Sequence, residues 1–420
     1  MKKIKTRQIE NSSVTIPGSK SISHRMIISA ALASGKSTLT NVLKSEDILL
    51  TIDCLKKFGA KIEEIDTSNQ IFEIFGFNGR PHKHDKEIYL GNSGTSMRLL
   101  TGIAALGNDD LTLTGDERMC QRPMTSLLSA LHMAGVSAKS QKNSGTPPVT
   151  INGKDKLGGK VEIDCSLSSQ YLSSLLMIGC YMEKGLKIIL KGDPVSAPYI
   201  DLTINIMKMF NVKTEKINNT HYNVLPDQQY VSGNFIIEPD LSNAGYFWAA
   251  GALSNRKVKV LNVSPDSLQG DLQLAYIFKN MGCDLFLEND GLGICGKSLK
   301  GVDVDMSDTP DAVPALAVVA AFAKGETLIR NIGHLREKEC DRIDAVATEL
   351  RKMDIQVDTG KDWMKIYGGS PKGARIHTYN DHRIAMAFSI AGLVVDNVQI
   401  ENENCVAKSF PLFWDVFEGL

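Results

Sequence analysis

What this 420-residue chain lacks narrows its function before any motif is read. No apolar run reaches membrane-spanning length, and the opening MKKIKTRQIENSSV carries no apolar stretch of the secretory kind. Its eight cysteines, Cys54, Cys120, Cys165, Cys180, Cys283, Cys295, Cys340 and Cys405, form no Cys-x-x-Cys pair, and no His/Cys cluster has metal-ligand spacing. Net charge is missing too. Its 47 Lys and Arg against 48 Asp and Glu leave −1, so no global basic field draws nucleic acid. The expectation is a soluble protein of the reducing cytoplasm, with no membrane, nucleic-acid, metal or nucleotide-cofactor partner. Any anion binding must come from local placement.

What is present is a repeat. Five segments run from a helical apolar stripe through a turn residue into a short strand: LKKFGAKIEEI, LHMAGVSAKS, MKMFNVKTEKI, FKNMGCDLFLE and LRKMDIQVD. The turn residues Gly59, Gly135, Asn211, Gly282 and Asp354 are spaced by 76, 76, 71 and 72. Gly, Asn and Asp tolerate the left-handed conformation that ends a helix, so one structural position is being reused. A truncated sixth copy, FPLFWDVFEGL, closes the chain.

A second helix repeats in step: KSISHRMIISAALASG, NSGTSMRLLTGIAALG, SSQYLSSLLMIGCYMEKG, SNAGYFWAAGALS, PDAVPALAVVAAFAKG and NDHRIAMAFSIAGL. These stretches are apolar nearly all round, which predicts helices buried between sheets. Six repeats over this length predict two α/β domains of three repeats each. The seams fall near Pro17-Gly18 and Ser232-Gly233, giving domains 18–233 and 1–17 plus 234–420, with an active site in the cleft between them.

The first turns of these helices carry Lys20, Arg25, Arg98, Asp311, His382 and Arg383, which core packing does not explain. A helix N-terminus offers unpaired N–H groups and a positive dipole end to phosphate or carboxylate. Lys20-Ser21 with Arg25, Arg122, Lys338 with Arg342, Arg383 and Lys408 add cations there, and Ser168-Ser169-Gln170 and Ser196 add neutral donors. Pro123 and Pro411 read as first helical residues. Such recurrence points to anionic substrates.

The motifs PGSKSISHR, LGNSGTSMR, GDERMCQRPM, SSQYLSSLLM, PDAVPALA, REKECDRI, YNDHRIAMAF and AKSFPLFW stand in this order between Pro17 and Trp414. Together they closely resemble the 3-phosphoshikimate 1-carboxyvinyltransferases, or EPSP synthases. The resemblance implies an inverse α/β prism, each domain three βαβαββ units. It also implies transfer of the enolpyruvyl group of phosphoenolpyruvate to the 5-hydroxyl of shikimate 3-phosphate by a monomeric, cofactor-free enzyme. By the same resemblance Lys20, Arg122 and Lys408, with the backbone at Gly94, hold the phosphoenolpyruvate phosphate, and Arg342 and Arg383 hold its carboxylate. Ser21 and Arg25 bind the shikimate carboxylate, and Ser168, Ser169 and Ser196 bind its phosphate. Lys20 and Gln170 lie between the substrates, and Asp311 and Lys338 reach the ring hydroxyls. Asp311 is the expected base, and Lys20 or Glu339 the acid. Members with Gly at position 94 resemble the glyphosate-sensitive form.

Some residues have simpler readings. Asp311 could cap its helix, Glu339 could pair with Lys338 or Arg342 on a solvated face, and His382 could orient Arg383. His334 stands where the family often has Asn, and Leu99 where it often has Pro. A UDP-N-acetylglucosamine enolpyruvyl transferase would carry a Cys five residues before Arg122, where this chain has Glu117, and Lys-Asn in place of Lys20-Ser21. Cys120 is too close to match. A non-catalytic phosphometabolite-binding protein would need the anion sites but neither Asp311 nor Glu339.

Overall fold

The computed structural model describes residues 1–82 and 85–420. The chain divides into two compact units, Gly18–Ile237 and Met1–Pro17 with Glu238–Leu420.

Within Gly18–Ile237 the order strand, helix, strand, helix, strand, strand occurs three times. The second copy is representative: strand Glu87–Tyr89, helix Gly94–Ala104, strand Leu111–Thr114, helix Thr125–Met133, then strands Ser137–Ser140 and Val149–Asn152. Its first two strands pair in parallel, the second pairs antiparallel to the fourth, and the fourth antiparallel to the third. The first copy departs in one respect. Its parallel strand is Asn234–Ile236, which returns from beyond the third copy to pair with Lys36–Thr40. The seam expected after Gly233 therefore lies four residues later, because backbone pairing ties 234–236 to the unit that begins at Gly18.

The other unit borrows at its opposite end. Strand Ser12–Val14 supplies the parallel partner of Val258–Leu261, and Lys2–Lys3 pairs antiparallel with Gln399–Ile400. The truncated sixth copy is thus a three-stranded sheet of Lys2–Lys3, Gln399–Ile400 and Arg375–Ile376, finished by the chain's first residues. Its last helix, Phe413–Glu418, ends at Gly419 with φ −78° and no following strand.

In both units the helices of the apolar, small-residue kind lie inside. Lys20–Leu32, Gly94–Ala104 and Gln170–Ile178 in one, and Leu241–Ser254, Val313–Ala320 and His382–Ala391 in the other, are buried along nearly their whole lengths. Each unit has one continuous apolar core built on them. The second helix of each repeat is amphipathic and ends at the repeated turn. Gly59, Gly135, Asn211, Gly282 and Asp354 all have positive φ, from 64° to 108°. The helices expected from Pro123 and Pro411 begin instead at Thr125 and Phe413, two residues later in each case.

A second repeated position was not evident in the sequence. Gly76, Gly153, Gly296 and Gly368 each follow the closing strand of a repeat. A Cβ there would stand 2.2, 1.7, 1.9 and 1.8 Å from the carbonyl oxygens of Ala33, Ala105, Ala252 and Ala323, near the ends of the inner helices. Sheet and helix touch there backbone to backbone, which only glycine permits. The third repeat puts its small residues on the helix side, where Cβ atoms at Gly179 and Gly185 would meet Val224.

This contact also explains the segment GLGICGKS at 291–298, which spells both G-x-G-x-x-G and G-x-x-x-x-G-K-S. A phosphate loop joins a strand to a helix. Here Gly291–Cys295 is itself a strand paired antiparallel on both sides, and strand Asp303–Asp305 is the next element. The pattern serves packing.

Adjacent glycines test this. Gly368→Ala should lower the melting temperature by an amount equivalent to about 1–3 kcal/mol of overpacking. Gly369→Ala, whose Cβ would meet only Ile355 Cδ1 at 3.5 Å, should be near neutral by calorimetry.

Candidate active site

In Gly18–Ile237 the polar groups gather at the first turns of the inner helices. Ser19 caps Lys20–Leu32 by accepting from the Ile22 N–H. Lys20 Nζ lies 3.2 Å from Asp47 Oδ2, both side chains largely buried. Beneath them a buried chain of hydroxyls crosses three helices: His24 Nδ1 to Thr51 Oγ1 at 2.9 Å, Thr51 to Ser96 at 2.8 Å, and Ser96 to Ser93 at 2.6 Å.

Arg25 is buried, donating to Thr203 Oγ1, the Ser21 carbonyl and Ser173 Oγ, with its guanidinium 5.9 Å from the Tyr199 ring. Burial pulls its pKa down to about 10, still far above neutrality, so it remains a cation. Arg98 donates to Gln170 Oε1 at 2.9 Å and Ser168 Oγ at 3.5 Å, and Gln170 Nε2 donates to Thr95 Oγ1. Gln170 N donates to Ser168 Oγ, while Ser169, next to it, and Ser196, at φ +55°, are both buried.

Gly94 opens its helix directly under Arg122. A Cβ at Gly94 would lie 2.6–2.7 Å from the Arg122 Cζ, Nη1 and Nη2 atoms. Arg122 is itself buried and donates to Asn92 Oδ1. A methyl at position 94 therefore displaces a guanidinium before it meets any ligand.

In the other unit the charged groups form one network. Arg342, the first residue of helix Arg342–Lys352, donates Nε and Nη2 to Asp381, Nη2 to Glu339 and Nη1 to Asp311 at 2.8 Å. Arg383 donates Nη2 to the other Asp311 oxygen at 2.7 Å and Nη1 to Tyr246 Oη. Burial alone would lower the Arg342 pKa, but Asp381, Glu339 and Asp311 outweigh it and the net shift is upward; Arg383 moves the same way, with Asp311 its main counter-charge. Burial pushes the Tyr246 phenol up to about 12, so it stays a neutral partner.

Asp311 lies in the turn Pro310–Ala312, and the N-cap position of the following helix is Ala312. Two guanidiniums fix the plane of its carboxylate. Glu339 does pair with Arg342, but on a buried face, not a solvated one. Lys338 is half-buried in extended backbone beside Glu339, and Lys408 is buried at the end of the turn Glu403–Lys408. Asp381 was not foreseen as a site residue. It is fully buried, caps His382–Ala391 through the Arg383 N–H, and anchors Arg342; its signal was the acidic residue inside YNDHR. Among the described residues no group of three or more His, Cys, Asp and Glu could hold a metal ion.

A profile of the EPSP synthase (3-phosphoshikimate 1-carboxyvinyltransferase) family matches residues 4–417. The chain belongs to the EPSP synthase family. A 3-phosphoshikimate 1-carboxyvinyltransferase of Shewanella baltica is 41% identical over 97% of this chain and 96% of its own length. That of Shewanella amazonensis is 42% identical over 98% and 96%. Among solved structures, an EPSP synthase from Acinetobacter baumannii superposes with a TM-score of 0.84 at 30% identity, covering 99% of this chain and 97% of that one. The enolpyruvyl transferase NikO from Streptomyces tendae, at 16% identity, shares the fold with a TM-score of 0.80. The inverse α/β prism expected from the motifs is the fold of this family.

His334 is buried, and burial together with the nearby Lys338 charge lowers its pKa to about 3. The unfolded chain takes up this proton near pH 6.5 and the folded one does not, so its contribution to stability is present above pH 6.5 and is lost as pH falls towards 3. His334→Asn should therefore lose less stability on acidification than the parent, by up to about 3 kcal/mol at pH 4 in denaturant titrations. Equal losses would mean that the imidazole ionises freely.

Proposed function

We propose that this chain transfers the enolpyruvyl group of phosphoenolpyruvate to the 5-hydroxyl of shikimate 3-phosphate, releasing inorganic phosphate. The observation that carries the reading is the Arg342–Asp311–Arg383 arrangement, two buried guanidiniums on one carboxylate, in a chain whose family relatives are named for this reaction. The eight free cysteines fit a reducing cytoplasm, and we take the enzyme to act as a monomer.

In this reading Arg342 and Arg383 hold the phosphoenolpyruvate carboxylate. Lys20, Arg122 and Lys408 hold its phosphate with the helix start at Gly94. Ser21 and Arg25 take the shikimate carboxylate, and Ser168, Ser169 and Ser196 its phosphate. Gln170, kept in place by Arg98 and Thr95, touches both substrates, and Lys338 reaches the ring hydroxyls. Asp311 removes the proton of the 5-hydroxyl as its oxygen bonds to C2 of phosphoenolpyruvate. Lys20 or Glu339 delivers a proton to the methylene carbon. Loss of a proton from the C3 methyl, back to the group that delivered it, and of phosphate from C2 then forms the C2–C3 double bond of the enol ether. Positive charge developing at C2 is tolerated because the surrounding dipoles and carboxylates are already in place.

The test is phosphate release from phosphoenolpyruvate with and without shikimate 3-phosphate. Release that depends strictly on the second substrate is expected. Activity with UDP-N-acetylglucosamine in its place, or binding without turnover, would overturn the reading.

Asp311→Asn should lower kcat by about 10²- to 10⁴-fold, the range for losing a general base. KM for phosphoenolpyruvate should not rise, because the substitution removes an anion that competes with the substrate carboxylate for the same two arginines. Near-full turnover would exclude the base role.

Gly94→Ala should raise both KM for phosphoenolpyruvate and the inhibition constant of glyphosate, which we expect to compete with phosphoenolpyruvate. The inhibitor should be affected more, since it is the longer ligand and also depends on the displaced Arg122. Inhibition kinetics at varied phosphoenolpyruvate separate these outcomes, and an inhibitor indifferent to the methyl would remove Gly94 from the site.

A further inference from the structure

Arg383 and Asp381 sit directly after a backbone segment that is unusual for its residues. Tyr379 and Asn380 both have φ +54°, two consecutive non-glycine residues in the left-handed region. For an aromatic residue this conformation is strained, and it persists only where the surroundings hold it. The strained pair turns the chain out of His377–Thr378 so that the Asp381 N–H bonds the Thr378 carbonyl at 2.8 Å and Asp381 can cap the next helix.

The holding contacts come from one helix. Glu349 is fully buried on Arg342–Lys352. Its Oε1 accepts from Tyr379 Oη at 2.8 Å, its Oε2 accepts from the His377 N–H at 3.1 Å, and Lys352 Nζ neutralises it at 2.8 Å. Arg342 is seven residues earlier, two turns along and so on the same helix face. It grips the far end of the same loop through Asp381.

We infer that Glu349 and Tyr379 are positioning residues of the reaction: their hydrogen bond holds the strained 379–380 turn that aims Asp381 and Arg383, so that helix Arg342–Lys352 clamps the loop at two points. The helix that supplies one carboxylate-binding arginine thereby sets the position of the other. The inference rests on the proposed role of Arg342 and Arg383, and on the geometry of a region that reading left unexplained.

Tyr379→Phe removes one oxygen and keeps the ring, which packs edge-on against His377 with centroids 4.6 Å apart. KM for phosphoenolpyruvate should rise about tenfold, the effect of losing one hydrogen bond to a charged group, with kcat changed far less. Adding Asn380→Gly should restore KM, because glycine adopts positive φ without a clamp. Glu349→Gln, which keeps an acceptor, should fall between parent and Tyr379→Phe. Unchanged KM in Tyr379→Phe overturns the inference. So does a rise in KM that glycine does not rescue, or a fall in kcat and melting temperature with KM constant, since either outcome describes a merely structural contact. These measurements are made on a parent enzyme whose shikimate 3-phosphate-dependent phosphate release has been established, so failure of the proposed function is seen first and separately.

Discussion

A helix enclosed on every side by neighbours has only its ends open to present polar groups to a ligand, and this constraint organises both units. Along Val313–Ala320 or His382–Ala391 every residue is buried. Within these runs many of the hydroxyls and arginines meet another polar group, as Arg25 meets Thr203 and Ser173, or Ser96 meets Thr51. At the C-terminal ends the constraint takes another form. The sheet must come close enough to cover the helix end, and at Gly76, Gly153, Gly296 and Gly368 it does so with no side chain in between. Anion-binding chemistry is left with the N-terminal ends, where N–H groups and dipoles favour it.

The Arg342 network shows how costly such an end can be and why it is kept. A guanidinium at 1% exposure loses its hydration, and Asp311, Glu339 and Asp381 must together replace it. A buried ion cluster of this kind is weak evidence for stability, since apolar residues of similar volume often do as well. Its value lies in orientation. Asp381 and Glu339 keep Arg342 in place whatever Asp311 does, so in the role proposed for it Asp311 can change protonation or partner without freeing the arginine.

The repeat architecture was legible because helix-ending residues are chemically restricted: Gly59, Gly135, Asn211, Gly282 and Asp354 could be aligned by type alone, and all five have the positive φ that their type suggested. The strand Asn234–Ile236 was not legible. Its sequence suits a strand in either unit, and only its pairing with Lys36–Thr40 decides between them. The packing glycines were hidden for a similar reason, since their φ values are ordinary and their necessity lies in a carbonyl from another element. In the site, cations at helix starts could be read as anion binders from sequence, and Glu339 as a neighbour of Arg342, but the carboxylate partners distant in sequence could not. Asp47 is 27 residues from Lys20, and Asp381 is 39 residues from Arg342.

Gly94 shows the two levels meeting at one atom. From sequence, a glycine after Asn92-Ser93 reads as room for a ligand against a helix start. The structure puts a guanidinium in that room, with Arg122 atoms 2.6–2.7 Å from where a Cβ would be. The absent side chain therefore lets two different cationic devices, a helix dipole and an arginine, approach one point from the same side. Any larger residue would separate them by roughly the width of a methyl group. In the binding role proposed for this site, an anion would then have to choose between the N–H groups and the arginine, and charge-assisted hydrogen bonds weaken steeply with distance and angle. The glycine is thus a requirement of electrostatics as much as of sterics.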